Sequence, residues 1–205
     1  KKKKKKKKKK IPKNLEKIND STFKNCTLLE NIELPENLKE LGSYVFSGCA
    51  SLKEIDLPEN LEVIGCGLFA YCKELNSAVI PENAKFDSKE AFYCCNLLES
   101  VKLPNNMSTI GEGAFYECNS LKEFEIPETV RAIYESAFTD CDSLESVKLN
   151  EGLESIYEDA FKRCFNLKEI TFPKSLKNIY TSAFMQCCAL KELVIPATVT
   201  TLGNN

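Results

Sequence analysis

The chain has 205 residues, 43% of them hydrophobic, with 28 Lys+Arg against 30 Asp+Glu and no histidine or tryptophan. Without histidine there is no Ser-His-Asp triad, no Cys-His dyad and no imidazole metal ligand, and no apolar run approaches the roughly 18 residues of a membrane span. The formal charge of −2 hides an asymmetry: ten of the 28 basic residues are Lys1 to Lys10, which leaves 18 against 30, or −12, for the rest. A body that acidic lacks the basic stripe needed to neutralise phosphates, which argues against nucleic acid as a partner.

Lys1 to Lys10 reads as a tag, a placeholder or a disordered, self-repelling segment, and it stays outside the fold argument. As a natural segment it would favour anionic membranes or nucleic acid. From Ile11 onward one period governs the chain. Phenylalanine recurs every 23 residues at Phe23, Phe46, Phe69, Phe92, Phe115, Phe138, Phe161 and Phe184, and a cysteine follows each by three. A fixed period of this size means a solenoid, whose units cannot bury their own apolar side and must stack on their neighbours. Residues 11–205 therefore form one domain of about eight repeats. The array enters in mid-unit at IPKNLEKINDSTFKNC and stops in mid-unit at LVIPATVTTLGNN, with no polar capping segment. Terminal repeats normally cover the open core, so a fragment of a longer array is expected.

Within a unit, Ser51 to Lys73 shows the columns most clearly. Leu52, Ile55 and Leu57 predict a strand with one buried face. Pro58 ends it, in a column kept by every unit except the one holding Asn150; proline cannot donate to a ladder and belongs at a strand end. Asn60 heads a column of turn-accepting residues. Leu61 and Ile64 predict a second short strand, and Gly65 to Cys72 predicts a helical or 3₁₀ turn that carries Phe69 inward. Successive coils then pair their strands in parallel at about 4.8 Å.

Eleven cysteines suggest a disulfide framework, but eight share one column. Side chains in a column point the same way, whereas a disulfide needs facing Cβ vectors. The column predicts a buried thiol ladder in which each S–H donates to a backbone carbonyl. Cys66, Cys94 and Cys188 fall in polar columns and are expected to be exposed. One unit breaks the pattern: Ala78, Ala84 and Asp87 stand in three core columns, with Phe86 just before Asp87. A one-residue bulge would turn Phe86 inward and Asp87 outward.

The columns Leu52, Ile55, Leu57, Pro58, Leu61, Ile64, Gly65, Phe69, Cys72 and Leu75 resemble the BspA-like class of leucine-rich repeats. The alanine before the phenylalanine is present at Ala91, Ala114, Ala137, Ala160 and Ala183, and the resemblance covers residues 11 to 205. It implies a right-handed leucine-rich-repeat coil, mainly β with short helical or 3₁₀ turns, and a parallel sheet on the concave face. It also implies adhesion at a cell surface or in secreted form: binding of extracellular-matrix or host-surface proteins and recognition by innate immune receptors, with no enzyme activity and no cofactor. The Tyr134, Tyr157, Tyr180 run departs from the family's glycine column.

Outward strand positions supply the candidate partner-binding residues: Glu54, Asp56, Glu123, Glu125, Lys148 and Glu169 would line a mainly acidic sheet surface. Such faces are often only solvated, but solenoids tend to bind on their concave side. Tyr134, Tyr157 and Tyr180 should stack as an aromatic ladder, a plausible contact for protein or glycan or simple packing that stiffens the turn. Glu36, Glu59, Glu82, Glu128 and Glu151 also stack, but they lack the loop spacing of a calcium site, so no metal ligand is assigned. A cytoplasmic protein-interaction scaffold is the alternative function, since exposed thiols suit a reducing compartment.

Overall fold

Apolar residues on three sides of every unit converge on one line, and the chain folds around that line as eight stacked coils. The computed structural model describes residues 11–204; the lysine run and the readings offered for it lie outside the described residues. All strand pairings are parallel.

The first side of the coil carries strands Ser77–Val79 and Ser100–Lys102, paired with each other, and then Glu123–Glu125, Ser146–Lys148 and Glu169–Ile170 in a three-stranded ladder. Exposed and buried residues alternate along Ser77–Val79 and Glu123–Glu125, as a strand with one wet face requires. The proline column then turns the chain: the Leu61 N–H donates to Pro58 O at 3.1 Å, and the same bond recurs from Val130 to Pro127 and from Leu176 to Pro173. Asparagines in this turn tie coils together, as Asn60 Nδ2 does to Glu36 O at 3.1 Å.

The second side is a ladder of two-residue strands. Lys17–Ile18, Glu40–Leu41, Val63–Ile64 and Lys85–Phe86 form one four-stranded sheet. Thr109–Ile110, Ala132–Ile133, Ser155–Ile156, Asn178–Ile179 and Thr201–Leu202 form a separate five-stranded one.

The third side is the phenylalanine corner. Gly65 to Cys72 makes the i to i+3 bonds of a tight turn, Ala70 N–H to Gly67 O and Cys72 N–H to Phe69 O, but at alternate residues, so it forms no helix. The residues between them reach the next coil: the Gly67, Phe69 and Tyr71 amides donate to Lys89, Ala91 and Tyr93. This alternation forces two residues per coil, two before and two after each phenylalanine, into the left-handed region. Only Gly48, Gly67 and Gly113 among these are glycine; Tyr71, Cys94 and Arg163 also adopt it, at a conformational cost that the ladder bonds offset.

Six phenylalanines, Phe46 to Phe161, are fully buried, and the rings stack with centroids 5.1–6.0 Å apart. Beside them runs the thiol ladder. Cys49, Cys72, Cys95, Cys118, Cys141, Cys164 and Cys187 each donate S–H to the phenylalanine carbonyl of the preceding coil at 3.0–3.3 Å. All eleven thiols are free. Burial raises the Cys95, Cys118 and Cys141 thiols well above their ordinary value.

Two cysteine expectations need correction. Cys94 is buried: its side chain is short and lies among those of Tyr71, Tyr93 and Glu117; its S–H meets Glu117 Oε2 at 3.4 Å and burial pushes the thiol up to about 12. Cys66 is half-buried, while Cys188 is exposed as expected.

In the irregular coil, Phe86 takes the place of Ile64 in the ladder and Asp87 is exposed. Regular coils spend two residues on one acceptor: Glu62 N–H and Val63 N–H both donate to Lys39 O. Here Lys85 N–H alone donates to Glu62 O, so the strand is one residue shorter. The missing residue returns immediately. Asp87 Oδ1 accepts the Lys89 N–H at 3.0 Å in an Asx turn that accommodates Ser88, and the phenylalanine column continues at Phe92 without a slip.

Candidate functional site

Parallel pairing places identical columns side by side, so one coil's surface residue is multiplied into a stripe. Four of the predicted residues are gathered in this way. Glu123, Ser146 and Glu169 are in register, and Glu125 lies opposite Lys148. All four charged side chains, Glu123, Glu125, Lys148 and Glu169, are exposed. Lys148 Nζ donates to Glu125 Oε1 at 2.5 Å, and that hydrogen bond raises the lysine above its usual range. Among the described residues, no ion pair involves Glu123 or Glu169, so the net charge of this patch is negative.

Glu54 and Asp56 stand apart. They are exposed on either side of buried Ile55, at the positions that precede Ser77 and Val79 by 23 residues, but no strand ladder includes them. The first side is thus interrupted, and the stripe expected to run from Glu54 to Glu169 is divided.

The three tyrosines occupy another side. Each directly follows a strand of the second side and donates its amide to the preceding coil, Tyr134 to Ile110 O and Tyr157 to Ile133 O. Their rings stack with centroids 4.8 and 4.7 Å apart and planes within 18°. Tyr134 is exposed and Tyr157 and Tyr180 are half-buried. Burial, then the neighbouring phenols, raises Tyr157. The acidic patch and the tyrosine stack therefore belong to different ladders.

Two surface features escaped the sequence reading. Lysine and glutamate 23 residues apart form staples between coils: Lys17–Glu40, Lys89–Glu112, Lys168–Glu145 and Lys177–Glu154 lie 2.5–2.8 Å apart. Opposite charges at the repeat spacing were the available signal. The second is a tyrosine cluster at the phenylalanine corner, of which the repeat spacing indicates only the Tyr93–Tyr116 pair. Tyr93 and Tyr116 stack at 4.5 Å, Tyr71 tilts over Tyr93 at 5.4 Å, and Tyr44 Oη crosses a whole coil to donate to Glu90 Oε2 at 2.9 Å. Gly67 permits that crossing, since a Cβ there would fall 2.2 Å from the Tyr44 ring.

Chemically, this surface can offer carboxylates, tyrosine edges and backbone, held rigidly at the coil repeat. No group of three or more His, Cys, Asp or Glu able to hold a metal occurs among the described residues, and no helix there is long and apolar enough to cross a membrane.

Comparison with known proteins agrees with this architecture. The sequence matches the BspA type Leucine rich repeat region in six copies, over residues 2–99 and 87–205. No curated protein matches the chain. Among solved structures, it resembles a leucine-rich repeat protein of T. pallidum at 28% identity and a TM-score of 0.68, covering 77% of this chain and 76% of that one. It also resembles the pneumococcal vaccine antigen PcpA at 25% identity and a TM-score of 0.60, covering 92% of this chain but only half of PcpA.

Proposed function

The chain belongs to the BspA-type leucine-rich repeat family, and from that premise we propose that it is a protein-recognition module acting at a cell surface or in secreted form, where it binds extracellular-matrix or host-surface proteins. The observation that carries this reading is the three-stranded patch of Glu123, Glu125, Lys148 and Glu169: rigid, exposed and negatively charged, with two carboxylates that no lysine neutralises. Such a patch suits a basic protein surface, with charge setting encounter rate and register more than affinity. The tyrosine stack of Tyr134, Tyr157 and Tyr180 offers a second, less polar contact. Likeness to a pneumococcal vaccine antigen supports a location where host proteins are met. No catalytic role is proposed.

The test is binding of residues 11–205 to a panel of immobilised matrix proteins at low and high salt. Saturable binding that weakens with salt and drops about tenfold in Glu123→Gln/Glu169→Gln, the outcome expected for two desolvated charge contacts, supports the patch. Binding to none of the panel contradicts the matrix-protein reading.

One observation favours a second reading. All eleven cysteines are free and Cys188 is exposed, which suits a reducing compartment and an intracellular scaffold using the same surface. Locating the full-length protein in its native cells, together with thiol labelling under native conditions, separates the two.

A further inference from the structure

Seven times along the second side, the residue after the short strand donates its amide to the preceding coil: Gly42 to Ile18 O, Gly65 to Leu41 O, Asp87 to Ile64 O, Tyr134 to Ile110 O, Tyr157 to Ile133 O, Tyr180 to Ile156 O and Gly203 to Ile179 O. The eighth bond, from Gly111 to Phe86 O, is missing. The Gly111 amide turns instead to Ser88 Oγ at 2.8 Å, and that hydroxyl in turn faces Thr109 O at 3.4 Å. No ladder bond joins Lys85–Phe86 to Thr109–Ile110, and the two short-strand sheets part there. At the other end of the gap, Asn106 Nδ2 reaches Ala84 O at 3.2 Å. On this side, side chains thus replace backbone as the link between the two coils.

The result is an open cleft of about 640 Å³. Ile64, Phe86 and Met107 give it an apolar floor, and Lys85, Asp87 and Ser108 stand at its rim. Phe86 is half-buried, unlike the fully buried Ile64 whose place it continues in the next coil. Its size falls within the range that encloses small ligands, about 300–1,000 Å³. Among the described residues, Phe86 O and the Thr109 N–H have no backbone partner on the side where the regular pattern would supply one. An acceptor and a donor of the main chain therefore flank an apolar floor, with a cation and an anion at the rim.

We infer that this cleft is a binding site for a short extended peptide segment of a partner protein, added in parallel beside Lys85–Phe86. This rests on the protein-recognition reading and gives it a second, separate site. The peptide's direction and sequence follow from register. A residue opposite Phe86 points inward and must be apolar, because it covers Phe86 and Met107. The residue before it lies beside Lys85 and favours glutamate; the residue after it lies beside Asp87 and favours lysine. The amide of that third residue donates to Phe86 O, as Asp87 does to Ile64 O. The preferred motif is Glu-Leu-Lys, read N to C.

The experiment uses the full ¹⁵N-labelled chain and two capped peptides of equal composition, Ac-Glu-Leu-Lys-NH2 and Ac-Lys-Leu-Glu-NH2, followed by amide chemical shifts. The expected result is saturable shifts confined to Phe86, Asp87 and Ser108 to Gly111, with the first peptide binding at least about fivefold more tightly, as like charges placed opposite each other disfavour the second. Ser108→Trp, an exposed rim position whose substitution should leave the fold intact by circular dichroism, should block both peptides. Equal binding of the two peptides, shifts scattered over the surface, no saturable shift, or binding retained in Ser108→Trp would each overturn the assignment. Binding of a matrix protein that survives Ser108→Trp while the tripeptides fail would overturn the cleft alone and leave the acidic patch as the recognition site.

Discussion

Coils built on Phe138 and Phe161 and the junction between the coils of Phe92 and Phe115 are made from the same repeat, yet they are held together differently. In the former, both the second side and the phenylalanine corner carry unbroken bonds from coil to coil. At the junction the second side is open, while the corner is intact: Phe92 N–H donates to Ala114 O at 2.8 Å and Cys118 S–H to Phe92 O at 3.2 Å. The difference teaches which side sets the register. A one-residue slip on the strand side is tolerated and corrected within the coil, because the corner repeats its bonds and its ring stacking without a gap.

The largest effect that would sharpen this comparison comes from the rings. Phe115→Ala removes a fully buried ring stacked between Phe92 and Phe138 and should cost about 3–5 kcal/mol by urea unfolding. Phe86→Ala, at the open side, should cost clearly less, since part of that ring already meets solvent. Equal losses would break the distinction between corner and strand side.

Alkaline pH probes the corner through its thiols. Burial raises Cys95, Cys118 and Cys141 above the ordinary value of 9.0. The folded state therefore keeps protons that the unfolded state loses. The stabilisation is full below pH 9 and falls as pH rises above it, by up to about 1.4 kcal/mol per thiol per pH unit. Thermal midpoints measured from pH 8 to pH 10 should drop steeply above 9, and less steeply in Cys118→Ala. A flat profile would contradict a buried thiol ladder.

Ser88→Ala acts on the junction alone. It removes the acceptor of the Gly111 amide and should cost about 1–3 kcal/mol, the penalty for an unsatisfied buried donor. A neutral result would mean that Gly111 returns to Phe86 O and closes the cleft, which crystallography of the variant would reveal. The smallest effect belongs to the surface. Lys148→Ala removes an exposed pair with Glu125 and should leave the unfolding midpoint unchanged, because solvent screens such pairs.

Much of the fold was legible because one column means one environment. The phenylalanine and cysteine positions foretold the ring stack and the thiol bonds, and Phe86 beside Asp87 foretold which of them turns inward. The left-handed pairs at the corner were hidden. Glycine usually marks such positions, but Ser21, Asn25, Tyr71, Glu117 and Arg163 hold them here because inter-coil bonds impose the conformation. Cys94 was misread for a different reason: its column is exposed or half-buried in the other coils, and only here does a short side chain sit among those of Tyr71, Tyr93 and Glu117. In the candidate site, periodicity correctly aligned Glu123, Glu125, Lys148 and Glu169 but overstated the stripe. Glu54 and Asp56 share the columns without sharing the ladder, and pairing depends on geometry that the columns alone do not reveal.

The phenylalanine corner carries the array across its broken strand side. Native-state hydrogen exchange of the full chain tests this most directly. The Phe92 amide, bonded across the junction to Ala114 O at 2.8 Å, and those of Phe69 and Phe115, bonded across the interfaces on either side of it at 2.9 and 2.7 Å, should be as protected as that of Phe138, while the amides of Ser108 and Thr109 exchange rapidly. Exchange at Phe92 as fast as at Thr109 would contradict this, and would mean that the two halves of the array open independently.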